Sequence, residues 1–509
     1  MNFEMKKEKL RVKECAEKTK AEQSLEAQIN LPDYCAEIKR ILKCTITPGI
    51  HSVGRTGDRV SARGTVLIRV IYLGEGDKLD CYEKSLDLAV GSQMKSITDD
   101  MVLTARANVS YVNCRAASQR KITVGGAVSV EFTAFQIKEK ELPCEILNAS
   151  VQTRTRKVKA ENLVCMSEKT FDMGETVALP KEKPSIARVL RQNSYVVIES
   201  KKAVSGKLLI KGECITEIVY CPQESENKLE EFRHSMPLSQ IIDVEGIGED
   251  MECSVRCNPS QLIVNVKNDS DDSGRLVEFA LRITAGVSCS TVKEYELIQD
   301  CYCTEGEIDA EYTLTDILCP VNSLEKTETV KESLDVNGAK EICDVWISDV
   351  KTQMNGESDK AKGKCTVTAC VLYLDEKDAP SYMERELEFF SEVSLNGKYE
   401  SVECDFEALV KKLECTFLQK GKAEIRLEVA VAVRICSVNS YRIVTDASES
   451  RSQSEKKQRP ALTLYFCSEG ERVWDIAKKY GTTCEAITGE NGIEGECVKE
   501  EGMLLIPCV

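Results

Sequence analysis

"VSARGTVLIRVIY", residues 60–72, alternates between apolar and polar side chains along one long segment. One face carries small or apolar residues at every second position: Val60, Ala62, Gly64, Val66, Ile68, Val70 and Tyr72. The other face is mostly polar (Ser61, Arg63, Thr65, Arg69), although Leu67 and Ile71 interrupt it. This alternation predicts a β-strand whose sheet is covered by a core on one side. "AEIRLEVAVAVRI", residues 423–435, has the same pattern near the other end of the chain.

The chain repeats itself at an offset of 148 residues. "LPDYCAEIKRIL" begins at Leu31 and "LPKEKPSIARVL" begins at Leu179. The same offset aligns further pairs: Ile38 with Ile186, Leu42 with Leu190, Gly64 with Gly212, and Tyr72 with Tyr220. A looser third copy places Ile342 and Trp346 of "AKEICDVW" at the positions of Ile186 and Leu190, and its strand "CTVTACVLYL" contains Tyr373. Pro32 and Pro180 have no counterpart in that copy.

A period near 150 residues is too long for a solenoid repeat, so each copy is predicted to be a separate domain. The predicted fold is mainly β, with three tandem antiparallel β-rich domains at residues 5–150, 160–310 and 312–446. Ile38, Ile186 and Ile342 are expected to be buried, each in its own domain. Residues 446–460 contain almost no apolar side chain and end in Pro460, so they are predicted to be a flexible linker. A small module follows at 461–509.

The composition of the 509-residue chain is that of a globular protein, with 42% hydrophobic and 30% charged residues. The net charge of −16 and the lack of a long basic run argue against a nucleic-acid partner. The N-terminal segment lacks the apolar stretch of a signal peptide, and "GTVLIRVIYLG" is too short to span a membrane. We therefore expect no signal peptide and no transmembrane segment.

The 25 cysteines are spread along the whole chain, and no C-x-x-C occurs. Disulfide scaffolds belong to short secreted chains, and zinc sites need two ligand pairs at suitable spacing. We therefore expect reduced cysteines and neither a metal nor a cofactor. With two histidines, His51 and His234, and no Walker-type phosphate loop, the chain is expected not to be an enzyme.

The C-terminal segment combines two short strands with two helical patterns. Val473, Ile476, Ala477 and Tyr480 have the spacing of one buried helical stripe, and Gly481 is placed to end that helix. Thr482, with Glu485 three positions later, predicts an N-cap and capping box for a second helix. "LTLYF" and "GMLLIP" are the predicted strands, so the module is predicted to be βααβ.

This module resembles the LysM domain over residues 462–508. The resemblance rests on "GERVWDIAKKYGTT" (470–483), Glu485, Ile487 and Asn491, and on Gly502, Leu504, Ile506 and Pro507. LysM domains bind N-acetylglucosamine polymers in a groove between the loop before the first helix and the loop after the second. Glu471 and Arg472 stand where the family has Asp-Thr, and a long cation there favours an acidic protein surface over a glycan.

The resemblance implies two sets of residues in the module. The expected partner contacts are Glu471, Arg472, Lys478, Lys479, Asn491 and Gly492. The expected core consists of Val473, Trp474, Ile476, Ala477, Tyr480, Leu504 and Ile506. Trp474 could instead stack on a sugar ring, but its helical neighbours favour a place in the core.

Three β-rich repeats with a "P-x-I-x-x-[IV]-L" segment, followed by LysM, resemble the SPOCS (spore coat-associated) repeat proteins of endospore formers, including a clostridial coat morphogenetic protein. The resemblance implies a non-enzymatic scaffold in the mother-cell cytoplasm at the forespore surface, later in the spore coat. Its implied partners are the coat-basement ATPase SpoIVA, bound through LysM, and other coat proteins. The alternative is a peptidoglycan-binding protein of the wall or spore cortex, and weak binding of N-acetylglucosamine glycans is compatible with either function.

Overall fold

The computed structural model describes residues 3–148, 150–223, 228–249, 251–267, 274–418, 421–450 and 462–508. Strands dominate these residues, as the alternating sequence predicts. The first repeat contains β1 (Met5–Asn30), β2 (Arg40–Thr56), β3 (Arg59–Leu73), β4 (Leu79–Gln93), β5 (Val102–Ser118) and β6 (Lys121–Ile146). The mainly β prediction is therefore confirmed.

The same six-strand order occurs twice more. The second repeat contains β7 (Val151–Ala178), β8 (Ile186–Val204), β9 (Lys207–Pro222), β10 (Glu230–Asp243), β11 (Glu252–Lys267) and β12 (Leu276–Cys303). The third contains β13 (Ile308–Asp335), β14 (Ala339–Gly356), β15 (Lys360–Asp375), β16 (Pro380–Ser394), β17 (Val402–Leu418) and β18 (Lys422–Glu449). Because β18 ends at Glu449, the first four residues of the predicted linker are strand. Residues 451–460 of that linker lie outside the described residues.

Each repeat is a sandwich of two antiparallel three-stranded sheets. In the first repeat the sheets have the orders β2-β3-β4 and β1-β6-β5, and the other two repeats follow the same plan. The alternating apolar face of β3 lies between the sheets, where Val60, Val66 and Ile68 are at most 1% exposed. Ile38 and Ile186 are also buried, whereas Ile342 is half-buried in the looser third copy.

The two aligned glycines, Gly64 and Gly212, lie opposite irregular positions in the neighbouring strand. Gly64 pairs with Ile50 and Gly212 pairs with Ile198, and in each case the register shifts immediately afterwards. A Cβ on Gly212 would overlap the carbonyl oxygen of Val197, and one on Gly64 would overlap that of Gly49. The bulge thus brings the backbones too close for any side chain.

The first and last strands of each repeat are 26 to 28 residues long, and they extend beyond their own sandwich. Their extensions meet in a cluster shared by all three repeats: Leu10, Leu142, Val158, Ala160, Tyr295, Leu297, Ile317, Tyr441 and Ile443. The repeats are therefore not the separate bodies expected from the sequence. They have a common core.

A second shared cluster forms between the other sheets. Leu42, Leu190 and Trp346, which the sequence repeat places at equivalent positions, all belong to it. Ile71 belongs to it too and is 6% exposed, which explains why an apolar residue interrupts the polar face of β3. That face is outside the sandwich of its own repeat, and at Ile71 it is covered by the neighbouring repeats, whereas Ser61 and Arg63 are exposed.

Polar contacts join every pair of repeats, so that the three close into a ring. Asp80 of β4 pairs with Arg188 of β8. The guanidinium of Arg191 donates two hydrogen bonds, of 3.0 and 3.1 Å, to the carboxylate of Asp344 on β14. The ring is closed by Arg40, whose guanidinium donates to the carbonyl oxygen of Pro380 at 2.8 Å.

The C-terminal module contains β19 (Leu462–Cys467), α1 (Val473–Tyr480), α2 (Cys484–Asn491) and β20 (Gly502–Pro507), and β19 pairs antiparallel with β20. Gly481 ends α1 in a left-handed conformation with a φ of 62°. The predicted N-cap of α2 is wrong by one residue. Thr483 accepts the capping hydrogen bond from the Ala486 amide, whereas Thr482 is buried and its hydroxyl donates to the carbonyl oxygen of Pro507.

No helix among the described residues combines the length and apolar character needed to cross a membrane.

Candidate functional site

The core of the C-terminal module forms around the stripe on α1. Val473, Ile476, Ala477, Leu504 and Ile506 are at most 7% exposed. Trp474 and Tyr480 are partly buried and pack against this cluster. The residues expected to hold the module together thus lie on its inner side, and Trp474 lies at its edge.

A residue of the second repeat completes this core. Tyr302, near the end of β12, is 4% exposed and belongs to the same cluster as the module's apolar residues. Its ring meets Trp474 edge-on with 4.9 Å between centroids, and its hydroxyl donates to the carbonyl oxygen of Thr482 at 2.7 Å. The module is therefore docked on the end of β12. A flexible linker alone would have left it free to move relative to the repeats.

Asp300, two residues before Tyr302, is the polar centre of this docking surface. Its carboxylate accepts hydrogen bonds from the Trp474 indole nitrogen at 2.9 Å, the Lys478 ammonium at 2.7 Å and the Tyr312 hydroxyl at 2.8 Å. Burial acts to raise the pKa of Asp300. Hydrogen bonds from Lys478, Trp474 and Tyr312, together with the charge of Lys478, outweigh burial and lower that pKa below its ordinary value. Lys478, an expected partner contact, is thus used within the chain.

Two more of the expected contacts are held by the module itself. The carboxylate of Glu471 accepts the Tyr465 hydroxyl at 2.6 Å and the Ser468 amide at 3.2 Å. The Asn491 side chain donates to the carbonyl oxygens of Ile487 and Leu505 and accepts the Leu505 amide at 2.7 Å. Asn491 therefore ties the end of α2 to β20.

The remaining expected contacts face outward. Arg472 and Lys479 are exposed. The ammonium of Lys479 lies 4.9 Å from the ring centroid of Tyr465 and 5.4 Å from that of Tyr480, so the aromatic pair supports its position. Gly492 is exposed and caps α2 with a φ of 63°.

The outer face of the small sheet is apolar, a feature that the sequence analysis missed. Leu462 and Leu464 are 49% and 63% exposed, and Phe466 and Met503, which pair across the strands, are 65% and 67% exposed. We call these four residues the apolar face. The alternation in "LTLYFC" contains the signal, because Tyr465 and Cys467 point into the core and leave the alternate residues outside.

Residues 37–117 and 185–267 match the family model described as SipL, SPOCS domain. The chain carries SPOCS domains. The matched residues correspond to β2–β5 in the first repeat and to β8–β11 in the second. The third repeat has the same strand order in β14–β17, although the match does not extend to it.

The SPOCS match indicates a sporulation protein associated with the spore coat. No curated protein and no solved structure matches the chain. The SPOCS matches end before the C-terminal module, so its assignment to LysM stays a prediction.

The two histidines lie in separate repeats, each with a local partner. His51 contacts the Thr65 hydroxyl at 3.2 Å, and burial, aided by the charge of Arg282, lowers its pKa. His234 contacts Glu175 at 3.0 Å.

Among the described residues there is no cluster of three or more His, Cys, Asp or Glu side chains arranged to hold a metal ion.

Proposed function

We propose that this protein is a non-enzymatic scaffold of the spore coat, made in the mother cell and gathered at the forespore surface. Its SPOCS repeats form the body, and its LysM-like module docks onto a SpoIVA-like coat ATPase. Other coat proteins bind the assembled scaffold. The SPOCS match supports the proposed location of the protein in the spore coat. The surface of the LysM-like module supports docking onto a protein partner.

The apolar face is the observation that carries the docking proposal. Leu464, Phe466 and Met503 are each more than 60% exposed, and none of them belongs to the core that the module forms with Tyr302. Soluble domains rarely leave large apolar side chains grouped on one face unless a partner covers them. Protein interfaces combine such an apolar centre with a polar rim, and Arg472 and Lys479 are exposed cations of the same module.

A peptidoglycan ligand is the competing proposal. It relies on the groove residues that the LysM resemblance implies. Two of these, Glu471 and Asn491, already have hydrogen-bond partners inside the module. A glycan would therefore have to replace bonds that the fold needs, whereas a protein partner can use the apolar face as it stands.

The first experiment is capture from sporulating cells with the full chain and with a chain lacking residues 461–509. The proposal expects the full chain to retain the SpoIVA-like ATPase and the shortened chain to lose it. The second uses purified protein and compares Phe466→Ser with Phe390→Ser. Phe390 is a matched control, because it is 69% exposed on β16 of the third repeat.

We expect Phe466→Ser to weaken binding to the ATPase at least tenfold and Phe390→Ser to leave it unchanged, with both variants folded by circular dichroism. Chitin oligomers, titrated by calorimetry, test the alternative. Tight glycan binding without ATPase binding would contradict the docking proposal and favour a wall or cortex function.

A further inference from the structure

Three cysteines lie side by side across one sheet of the second repeat. Cys289 of β12 is directly opposite Cys253 of β11 on one side and Cys165 of β7 on the other. The Sγ of Cys289 lies 2.8 Å from the Sγ of Cys253. Directly opposed residues of antiparallel strands have Cα atoms about 4.5–5.5 Å apart, which is within the range that a disulfide requires.

The third repeat does not have this grouping. The corresponding position of β18 is Ile435, which lies between Cys404 of β17 and Asn322 of β13. Cys404 therefore has the same position in its sheet as Cys253 but no opposing thiol. It serves as the control for the reactivity of Cys165, Cys253 and Cys289.

The three thiols differ in acidity because they share hydrogen bonds. A hydrogen bond from Cys289 outweighs burial and lowers the pKa of Cys165 to about 7, with a smaller contribution from the charge of Arg11. The same bond and burial raise the pKa of Cys289. Burial raises the pKa of Cys253. Cys165 is thus the thiol with the largest thiolate fraction at neutral pH, and the thiolate is the nucleophile in exchange.

Cys165 is reached from a cavity of about 560 Å³, whose lining includes Arg11, Val164, Met166 and Gly246. The register of β7 against β12 skips Val164, next to Cys165. This irregularity lies beside the thiol, on the edge strand of the sheet. Cys253 is partly exposed, whereas Cys165 is 9% exposed and Cys289 is fully buried between its two neighbours.

We propose that Cys165, Cys253 and Cys289 form a thiol–disulfide exchange site that is oxidised by small-molecule disulfides such as oxidised glutathione. Cys289 is the shared partner and forms a disulfide with either neighbour. This proposal is independent of the docking function, because it concerns the body of the protein.

The Cys165 thiolate attacks one sulfur of oxidised glutathione, which forms a mixed disulfide and releases one glutathione thiolate. Cys289 attacks the Cys165 sulfur and passes its proton to the departing glutathione thiolate, which forms the Cys165–Cys289 disulfide and releases the second glutathione. Two protein thiols are oxidised, and one glutathione disulfide is reduced to two thiols. The Cys253 thiolate can then attack Cys289, which transfers the disulfide and frees Cys165.

The sheet forbids the third pairing. Cys165 and Cys253 are on strands separated by β12, which places their backbones about 10 Å apart. A disulfide needs Cα atoms within about 7 Å, so Cys165 and Cys253 cannot be joined without moving a strand. The site therefore holds one disulfide at a time and leaves one thiol free.

The test uses full-length reduced protein equilibrated with increasing ratios of oxidised to reduced glutathione, then alkylated, digested and mapped by mass spectrometry. We expect a Cys289 disulfide with Cys253 or Cys165, while Cys404 stays alkylated over the same range. Cys253→Ser should retain the Cys165–Cys289 disulfide, and Cys165→Ser should retain Cys253–Cys289. Cys289→Ser should abolish both.

Any of three results would overturn the proposal. The first is full alkylation of all three cysteines at the most oxidising ratio. The second is a Cys165–Cys253 disulfide, and the third is oxidation of Cys404 to the same extent as Cys289. Because Cys289 is buried, its variant is compared only if its circular dichroism matches that of the parent. If the Cys289→Ser variant does not fold like the parent, the Cys165→Ser and Cys253→Ser variants still decide the test.

Discussion

Asp300 of β12 holds Trp474 of α1 through a 2.9 Å hydrogen bond between its carboxylate and the indole nitrogen. The two residues are 174 positions apart, and Lys478 on the next turn of α1 reaches the same carboxylate. The position of the C-terminal module relative to the SPOCS repeats is therefore set by specific side-chain contacts.

Removing this carboxylate should loosen the module without unfolding it. Hydrogen bonds to charged groups contribute about 1.5–3 kcal/mol each. We therefore expect Asp300→Ala to weaken the contact between the C-terminal module and β12 by about 2 kcal/mol. Hydrogen exchange of the α1 amides should become at least tenfold faster, whereas exchange in β3 should not change. Asp309→Ala, at an exposed position on β13, is the control. Equal exchange in both variants would show that Asp300 does not hold the module.

The same contact should respond to acid. The folded-state pKa of Asp300 is lowered, so its contribution is present above the ordinary carboxyl pKa of about 3.9 and is lost as the pH falls through the folded value. We expect Trp474 fluorescence to be constant from pH 7 to about pH 4 and to change below that range. The measurement uses a Trp346→Phe background, because the chain has two tryptophans. A transition near pH 6, or one that persists in Asp300→Asn, would contradict this origin.

The Arg191–Asp344 pair should be a major contact between the second and third repeats. Both side chains are at most 14% exposed, and the Arg191 guanidinium also lies 5.5 Å from the ring centroid of Trp346. Removing one partner of such a pair leaves a buried charge, so Arg191→Ala should lower the free energy of unfolding by about 3 kcal/mol. Urea titration measures the loss. Lys7→Ala, which breaks an exposed pair with Glu141, should cost less than 1 kcal/mol.

The glycines opposite the bulges should tolerate no side chain. Gly212→Ala forces a methyl group against the Val197 carbonyl oxygen, and overpacking of this kind costs about 1–3 kcal/mol. Gly286→Ala on β12 is a matched control, because a Cβ there meets nothing within 4 Å. We expect thermal unfolding to shift only for Gly212→Ala. Equal shifts would mean that strand propensity, not the bulge, decides the effect.

The outward cations of the module should affect partner binding, and Lys478 should behave differently from them. Arg472→Glu and Lys479→Glu change exposed residues, so each should weaken binding to the SpoIVA-like ATPase while α1 stays protected from exchange. Lys478→Glu should instead break the contact with Asp300 and speed exchange in α1. Calorimetry and hydrogen exchange on the same samples separate the two effects. Normal ATPase binding by both outward variants would exclude these cations from the interface.

The strands and the repeat could be predicted because both depend on local patterns. Alternation identified the buried face of β3. The offset that aligns Tyr72 with Tyr220 also relates equivalent hydrogen bonds in the structure. The two hydroxyls donate to the carbonyl oxygens of Ala36 and Pro184, which are themselves one offset apart. The third copy is looser for a physical reason. At the place of Gly212 it has Cys365, which pairs with Thr352 without a register shift, so neither the bulge nor the glycine is needed.

What alternation could not predict is the partner of each buried face. Tyr295 and Tyr441 continue the pattern of their strands, but they pack in the cluster shared by three repeats rather than in a sandwich. The contact between Trp474 and Asp300 was hidden for the same reason, since Asp300 carries no local signal in the sequence. Half of the expected contact residues proved to be tied within the chain, which only the tertiary structure could reveal.

Closure of the three repeats by Arg40 and Pro380 has an evolutionary consequence. An open array can gain or lose a unit by unequal recombination and remain folded, because each unit contacts only its neighbours. A closed ring of three has no free end at which a fourth unit could be added, and loss of one unit would expose both shared clusters. Copy number should therefore stay fixed at three, and new binding properties should arise by divergence of the outward loops and edges of the existing copies.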